Sequence, residues 1–166
     1  MFSLPLGVKA IMNGFKSDWF IAGGWAIDLF LEKETRPHDA IEIAIFRKDQ
    51  NALQNYLNGW LLQKAENNKL SVWKREDFLE LPIHEIHCFN ELSEPKSFEV
   101  LLNESDGDQW IYRRNKEITK PLSKVYLKSN LGMKFLCPEI VLLYKSKNSN
   151  DKDEKDFENA VKNAWK

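Results

Sequence analysis

The stretch from Ala22 to Phe46 contains the residues whose types and spacing best suit chemistry. A short apolar segment, predicted to be a strand, ends in Gly23-Gly24, and a second apolar segment, predicted to be a helix, follows at once. Glycines at such a junction let the backbone approach a ligand, and a helix N-terminus offers N–H groups to a phosphate. The same pattern also makes an ordinary tight turn, so taken alone it leaves both interpretations open.

The segment Ala40 to Phe46 follows after a charged loop and has isoleucine at every second position. Strict alternation predicts a strand with one apolar face, and it places Ala40 and Glu42 together on the opposite face. An acidic side chain on such a strand, near a glycine-rich junction, is a candidate for a ligand-binding role.

The wider string resembles the nucleotidyltransferase superfamily, and within it the small aminoglycoside/lincosamide adenylyltransferase-like proteins of antibiotic resistance. Gly23-Gly24-Trp25-Ala26 and Thr35-Arg36-Pro37-His38 match motifs of that family. The two positions of the family's Asp-x-Asp motif fall on Ala40 and Glu42, and its third acid, on a later strand, falls on Glu99. Weaker matches extend over nearly the whole chain, at Gly107 to Trp110, Arg113-Arg114, Pro138 to Lys145 and Lys152 to Phe157.

The resemblance implies an enzyme that transfers a nucleoside monophosphate, AMP above all, from a nucleoside triphosphate to a hydroxyl of a small molecule. Such enzymes use Mg²⁺ or Mn²⁺ to neutralise the triphosphate and activate the acceptor. Two acids at positions i and i+2 of a strand face the same side and can hold one metal together. The resemblance thus makes Glu42 and Glu99 catalytic and metal-binding, with Glu99 also the candidate base. It implies nucleotide contacts from Gly23, Gly24, Trp25, Arg36, His38 and Lys145.

Ala40 departs from the family pattern, because alanine has no oxygen to offer a metal. Loss of such a ligand should lower the rate by orders of magnitude, so this form is expected to be weak or inactive. The longer side chains of Glu42 and Glu99 keep the charge but move the oxygens outward. The alternative is a catalytically inactive module that binds nucleotide or a partner, either a pseudoenzyme or a toxin–antitoxin-like component.

Several other polar residues have a structural interpretation beside the functional one. Lys145 is either a triphosphate contact or a solvated lysine, and Arg36 and His38 either contact phosphate, orient the acidic loop or are surface charges. Arg113-Arg114 is expected to be an exposed strand end, although it could bind an anion. His84 and His87 are three residues apart, which on a strand puts them on opposite faces and argues against a shared metal.

The elements predicted around these residues give an α+β protein of the nucleotidyltransferase fold. Its mixed, mostly antiparallel sheet is flanked by helices, and a helical segment ends the chain. We expect a nucleotidyltransferase core over residues 1–130 and a C-terminal helical segment over 131–166 that packs on the core. The predicted helices are Leu6 to Phe15, Trp25 to Leu31, Asp49 to Leu57, Glu139 to Lys145 and Asp153 to Trp165. The predicted strands or extended segments are Trp19 to Ala22, Ala40 to Phe46, Trp60 to Lys64, Leu70 to Arg75, Glu85 to Asn90, Phe98 to Leu102, Trp110 to Arg114 and Pro121 to Lys128.

Composition bounds the remaining possibilities. The 166 residues are 43% hydrophobic, enough for a packed core, and 24 basic residues nearly balance 25 acidic ones. A net charge of -1 disfavours nucleic acid as the main partner. The partners that the resemblance implies are a nucleoside triphosphate and an unknown small-molecule acceptor. Two distant cysteines argue against a disulfide or zinc framework, and no run approaches the ~20 apolar residues of a membrane span. A cytoplasmic protein is expected; the oligomeric state is left open.

Overall fold

A computed structural model of the protein describes residues 1–145. The predicted final helix, Asp153 to Trp165, lies outside the described residues. None of the described helices has the length and apolar character that crossing a bilayer requires. The described helices are α1 (Ser3–Met12), α2 (Gly23–Leu31), α3 (Gln50–Tyr56) and α4 (Pro138–Lys145). The strands are β1 (Trp19–Ile21), β2 (Glu42–Phe46), β3 (Leu61–Glu66), β4 (Lys69–Val72), β5 (Glu85–Phe89), β6 (Ser97–Asp106), β7 (Gln109–Ile111), β8 (Thr119–Pro121), β9 (Tyr126–Lys128) and β10 (Lys134–Leu136).

The strands form one mixed sheet in the order β4-β3-β5-β6-β2-β1-β10-β9, and β7 and β8 extend it from the far end of β6. Two pairings are parallel, β1 with β10 and β2 with β6, and the other described pairings are antiparallel. This confirms the predicted α+β class with a mixed, mostly antiparallel sheet.

The middle of the sheet is buried on both faces. In β2 the consecutive residues Ile43, Ala44, Ile45 and Phe46 are all 3% exposed or less. Because neighbouring residues of a strand point to opposite faces, both faces of β2 must be covered. The expected apolar and polar faces of this strand therefore do not persist beyond Glu42, which is half-buried at its start.

Several predicted boundaries are wrong by a few residues. The first helix starts at Ser3, because Pro5 is tolerated in the first turn, where its missing N–H has no helical partner. The second helix begins at Gly23 itself, so both glycines belong to its first turn. The strand predicted from Ala40 begins at Glu42, which leaves Ala40 exposed just before it.

The C-terminal part of the described chain also differs from expectation. The extended segment predicted from Pro121 to Lys128 is interrupted by a single 3₁₀ turn, Leu122–Lys124. Strand β10 was not predicted, since three residues are too few to show a period. Its parallel pairing with β1 places Lys134–Leu136 within the sheet, ahead of α4, which packs on α2. The domain boundary at residue 130 stays a prediction.

Candidate active site

Three adjacent strands place four polar side chains on one face of the sheet. Glu42 of β2 is directly opposite Glu99 of β6, and on its other side Glu99 is directly opposite His87 of β5. Residues directly opposite one another in a ladder share a face, and Glu85 shares it because it lies two residues before His87. The sheet thus presents a row of three carboxylates and one imidazole.

The side chains of this row are close enough to interact. His87 Nε2 lies 3.1 Å from Glu85 Oε1, and His87 Nδ1 lies 3.7 Å from Glu99 Oε1. Burial first, and then the charges of Glu85 and Glu42, raise the pKa of Glu99 to about 7. Crowded carboxylates that disfavour ionisation of one member are a common basis for proton transfer near neutral pH.

The start of α2 approaches the same row. Gly23 has φ of +60°, and a Cβ on it would lie 3.1 Å from Glu42 Oε1. The N–H of Ala22 donates to the backbone oxygen of Glu42 at 2.9 Å, which ties the strand-to-helix junction to β2. Glycine at position 23 therefore has two physical reasons, a left-handed backbone conformation and the closeness of a carboxylate.

A cavity of about 300 Å³ opens over these residues. Gly23, Glu42, Glu85 and Glu99 line it on the sheet side. Arg113, Tyr144 and Lys145 line it on the side of α4. Acidic and basic groups thus face one space, an arrangement that suits a ligand carrying anionic groups and their counter-cation.

Arg113 forms part of the cavity wall. His84 Nδ1 donates to the backbone oxygen of Pro82 at 2.8 Å, which leaves His84 Nε2 to accept from Arg113 Nη2 at 2.9 Å. The guanidinium lies 5.0 Å from the ring centre of Tyr144, and its Nη1 is buried with no hydrogen-bond partner among the described residues. Burial lowers the pKa of His84 and of Arg113. A guanidinium nevertheless stays charged in proteins. A buried, unpartnered donor of a fixed cation is a candidate anion contact.

A second polar network surrounds Asp28 of α2 and is not part of the cavity lining. This fully buried carboxylate accepts from Thr35 Oγ1 at 2.6 Å and from the Thr35 N–H at 3.2 Å. His38 Nε2 lies 2.6 Å from it, and the His38 ring packs on Trp25 with centroids 4.4 Å apart. The network fixes the loop that leads into β2.

Gly24 is required by that loop. A Cβ on Gly24 would lie 2.5 Å from Arg36 Nη2 and 2.6 Å from His38 Cε1. The first glycine of the pair thus leaves room for Glu42, whereas the second leaves room for the loop side chains.

Comparison with known proteins assigns the chain to a family. A family model described as aminoglycoside-2''-adenylyltransferase matches residues 6–114, well over half of the chain. The chain belongs to this family. No curated protein sequence matches it.

Solved structures agree with the family in fold. The lincosamide antibiotic adenylyltransferase LnuA, bound to lincomycin, has a TM-score of 0.65 at 13% identity, over 97% of this chain and 96% of LnuA. ANT(2'')-Ia in complex with adenylyl-2''-tobramycin has a TM-score of 0.63 at 12% identity, over 98% of this chain and 88% of that protein. The solution structure of ANT(2'')-Ia gives 0.62 at 13%, over 98% and 83%. At these identities the likeness shows the nucleotidyltransferase fold.

The family residues predicted from the sequence divide between two places. Gly23, Glu42, Glu99 and Lys145 line the cavity. Gly24, Trp25, Arg36 and His38 do not line it; Trp25 and His38 pack beside Asp28, and Arg36 and His38 lie over Gly24. Of the interpretations given for His38, orientation of the acidic loop is the one that this packing favours. A nucleotide contact from the second group stays a prediction.

Three residues of this region, Asp28, Glu85 and His87, were not predicted as part of it. Asp28 is a lone acid in an apolar helix, and a buried carboxylate there needs partners, which was a usable signal. Glu85 and His87 are two residues apart on β5 and share a face, whereas the sequence argument rested on His84 and His87, which are three apart. The expectation that Arg113-Arg114 is an exposed strand end is wrong, because β7 ends at Ile111 and both arginines contact Tyr144.

Proposed function

We propose that this family member transfers AMP from ATP to a hydroxyl of a small molecule, with a divalent cation. The single observation that carries the proposal is the pairing of Glu42 with Glu99 on neighbouring parallel strands, on a cavity wall beside Gly23. Two carboxylates on one face, next to a helix N-terminus, are the parts that nucleotidyl transfer needs.

The basic side of the cavity would bind the triphosphate. Arg113 offers a buried donor, Nη1, with no partner in residues 1–145, and Lys145 lines the same wall. Gly23, the first residue of α2, also lines the cavity, and a helix N-terminus favours negative charge through its N–H groups and its dipole. These groups would hold the phosphates and align the α-phosphorus with the acceptor.

Carboxylate oxygens are the ligands that Mg²⁺ and Mn²⁺ prefer, so Glu42 and Glu99 fit a divalent cation. When bound, the cation would supply charge neutralisation for the triphosphate. In the transfer, the acceptor oxygen forms a bond to the α-phosphorus while the bond to the β-phosphate oxygen breaks and pyrophosphate leaves. The hydroxyl proton passes to a carboxylate, and Glu99 is the candidate because its pKa is raised to about 7.

Ala40 favours a second candidate function, a module that binds nucleotide without chemistry. It is exposed just before β2, two residues ahead of Glu42, and brings no oxygen to the metal. We expect transfer to be slow in this form for that reason.

The acceptor class is proposed from the structural neighbours, which were solved with lincomycin and with adenylyl-2''-tobramycin. Both indicate hydroxylated, amine-bearing antibiotics as the first compounds to test. The acceptor of this chain is a proposal, because one fold serves many acceptors.

The test is pyrophosphate release from ATP and Mg²⁺ with a panel of aminoglycosides and lincosamides. The wild type, Ala40→Asp, and Glu42→Gln in the Ala40→Asp background are compared, and ATP binding is measured alongside. Release that rises with Ala40→Asp and disappears with Glu42→Gln supports an enzyme impaired at position 40. If none of the three proteins releases pyrophosphate but ATP still binds, the binding module is supported. If there is neither release nor ATP binding, both the enzyme and the binding module are overturned.

A further inference from the structure

We infer that Glu85, His87 and Glu99 form a metal site with both nitrogen and oxygen ligands. This site lies one strand away from the family's metal position and prefers Mn²⁺ or Zn²⁺ to Mg²⁺. The site shares Glu99 with the proposed function. It stands on donor geometry alone, so it does not require that nucleotide transfer occurs.

The three donors are placed by the sheet. His87 is directly opposite Glu99 in the β5–β6 ladder, and Glu85 lies two residues earlier on the same face of β5. Strand β5 is paired on both sides, with β3 and with β6, so its backbone is held along its length. One donor atom from each residue lies within 4.8 Å of the other two. Small side-chain rotations would then bring all three to the ~2.1 Å distance of a coordinated ion.

The donor set determines which ion is preferred. Imidazole nitrogen is a good ligand for Zn²⁺ and other transition metals, and carboxylates also suit Mn²⁺, whereas Mg²⁺ takes oxygen ligands almost exclusively. Two carboxylates with one imidazole therefore favour Zn²⁺ or Mn²⁺. The carboxylate pair Glu42 and Glu99 on the other side has no nitrogen ligand and gives no such preference.

Solvent reaches the three donors. The side chains of Glu85 and His87 are each 32% exposed, and that of Glu99 is 25% exposed. Glu85 and Glu99 also line the cavity. Three protein ligands with access for water or substrate oxygens are the arrangement of a reactive metal site, whereas structural sites are closed by a fourth protein ligand.

The position of this site suggests a compensation for Ala40. Glu99 lies between β2, where an oxygen ligand is lacking at position 40, and β5, which supplies two further donors. Moving from one strand to the next displaces an ion by only about 4.8 Å, so it would stay at the same cavity wall. The metal would thus be held on the β5 side of Glu99.

The experiment measures metal binding in the absence of nucleotide and acceptor. The metal-free full chain is titrated with Mn²⁺ by electron paramagnetic resonance, and with Co²⁺, a visible probe for zinc-type sites, by absorption. We expect one saturable ion, with affinity lowered by about tenfold or more in His87→Ala and in Glu85→Gln. The matched control is Glu117→Gln, an exposed glutamate outside the cavity lining, which should retain the affinity. Circular dichroism verifies that each variant is folded.

The outcomes separate this inference from the proposed function. An absence of saturable binding, or equal affinity in wild type and His87→Ala, overturns the site even if transfer with Mg²⁺ is observed. Binding that depends on His87, with Mg²⁺ binding unchanged in the same variant, supports the site even if no acceptor is ever adenylylated. If Glu85→Gln lowers Mn²⁺ affinity but His87→Ala does not, the ion is held by oxygens alone and the mixed site is wrong.

Discussion

Replacement of Glu99 by glutamine should stabilise the metal-free protein at neutral and alkaline pH, although the same change should damage the candidate site. Burial and the charges of Glu85 and Glu42 raise the pKa of Glu99 from an ordinary value of 4.5 to about 7. In the folded chain the ionised carboxylate is therefore disfavoured relative to the unfolded chain. Glutamine has nearly the same shape and no charge, so it removes this penalty.

Proton linkage gives the sign and size of the contribution of Glu99 to the free energy of unfolding. Below pH 4.5 both the folded and the unfolded chain hold the Glu99 proton, and the residue adds no pH dependence. Between pH 4.5 and about 7 the unfolded chain releases the proton first, so the free energy of unfolding falls as the pH rises. At about 1.4 kcal/mol for each pH unit the loss is at most about 3–4 kcal/mol, and partial exposure and shared charge with Glu85 reduce it to about 1–3 kcal/mol.

Urea unfolding at pH 4.5 and pH 8, with EDTA present, tests the expectation. Glu99→Gln should raise the free energy of unfolding by about 1–3 kcal/mol at pH 8 and change it little at pH 4.5. The matched control is Glu117→Gln, an exposed glutamate away from the cavity, which should change neither value by more than about 0.5 kcal/mol. A destabilised Glu99→Gln at pH 8, or an equal gain at both pH values, would show that the crowding of charges inferred for Glu99 is absent.

Three further substitutions test the loop and the basic wall. Gly24→Ala should lower the free energy of unfolding by about 1–3 kcal/mol, because its Cβ would overlap the fixed His38 ring. Gly59→Ala measures backbone strain alone, since φ of Gly59 is +91° and a Cβ there would meet nothing within 4 Å. Asp28→Ala should lower the free energy of unfolding by about 1–3 kcal/mol or more, because it leaves the Thr35 and His38 donors unpaired. Urea unfolding measures this change, and an unchanged free energy would contradict the network. Arg113→Met should weaken ATP binding by about tenfold in calorimetry without loss of stability, since it removes a cation whose buried Nη1 has no partner within the described part of the chain. Unchanged ATP affinity would remove Arg113 from the proposed site.

Features that depend on only a few neighbouring residues could be predicted from the sequence, and features that depend on distant residues could not. The glycine pair, the strand through Glu42 and the helix at Pro138 are visible in short windows, because glycine, alternation and proline act within a few residues. The match of Glu42 with Glu99 came from family resemblance. Alternation alone could not give it, since pairing of strands that lie more than fifty residues apart depends on packing across the whole sheet.

The residues that were not predicted show the same dependence on distant parts of the chain. Glu85 and His87 carry a local signal, their i, i+2 spacing, but it acquires chemical meaning only when β5 pairs with β6 and brings Glu99 opposite. Asp28 likewise becomes interpretable once the loop carrying Thr35 and His38 folds back on α2. In both cases the partner is contributed by a different element, which no periodicity describes.

The crowded carboxylates also connect stability with function. Glu85 and Glu42 both repel Glu99 on one face of the sheet, and a sequence selected for stability alone would not place them there. A cation bound among them would remove the repulsion and add stability in proportion to its occupancy, by RT ln(1 + [L]/Kd). Wild type should therefore gain stability from Mn²⁺, whereas Glu99→Gln, already relieved of the charge, should gain much less. Equal gains in the two proteins would mean that the ion binds elsewhere and that these acids serve another purpose.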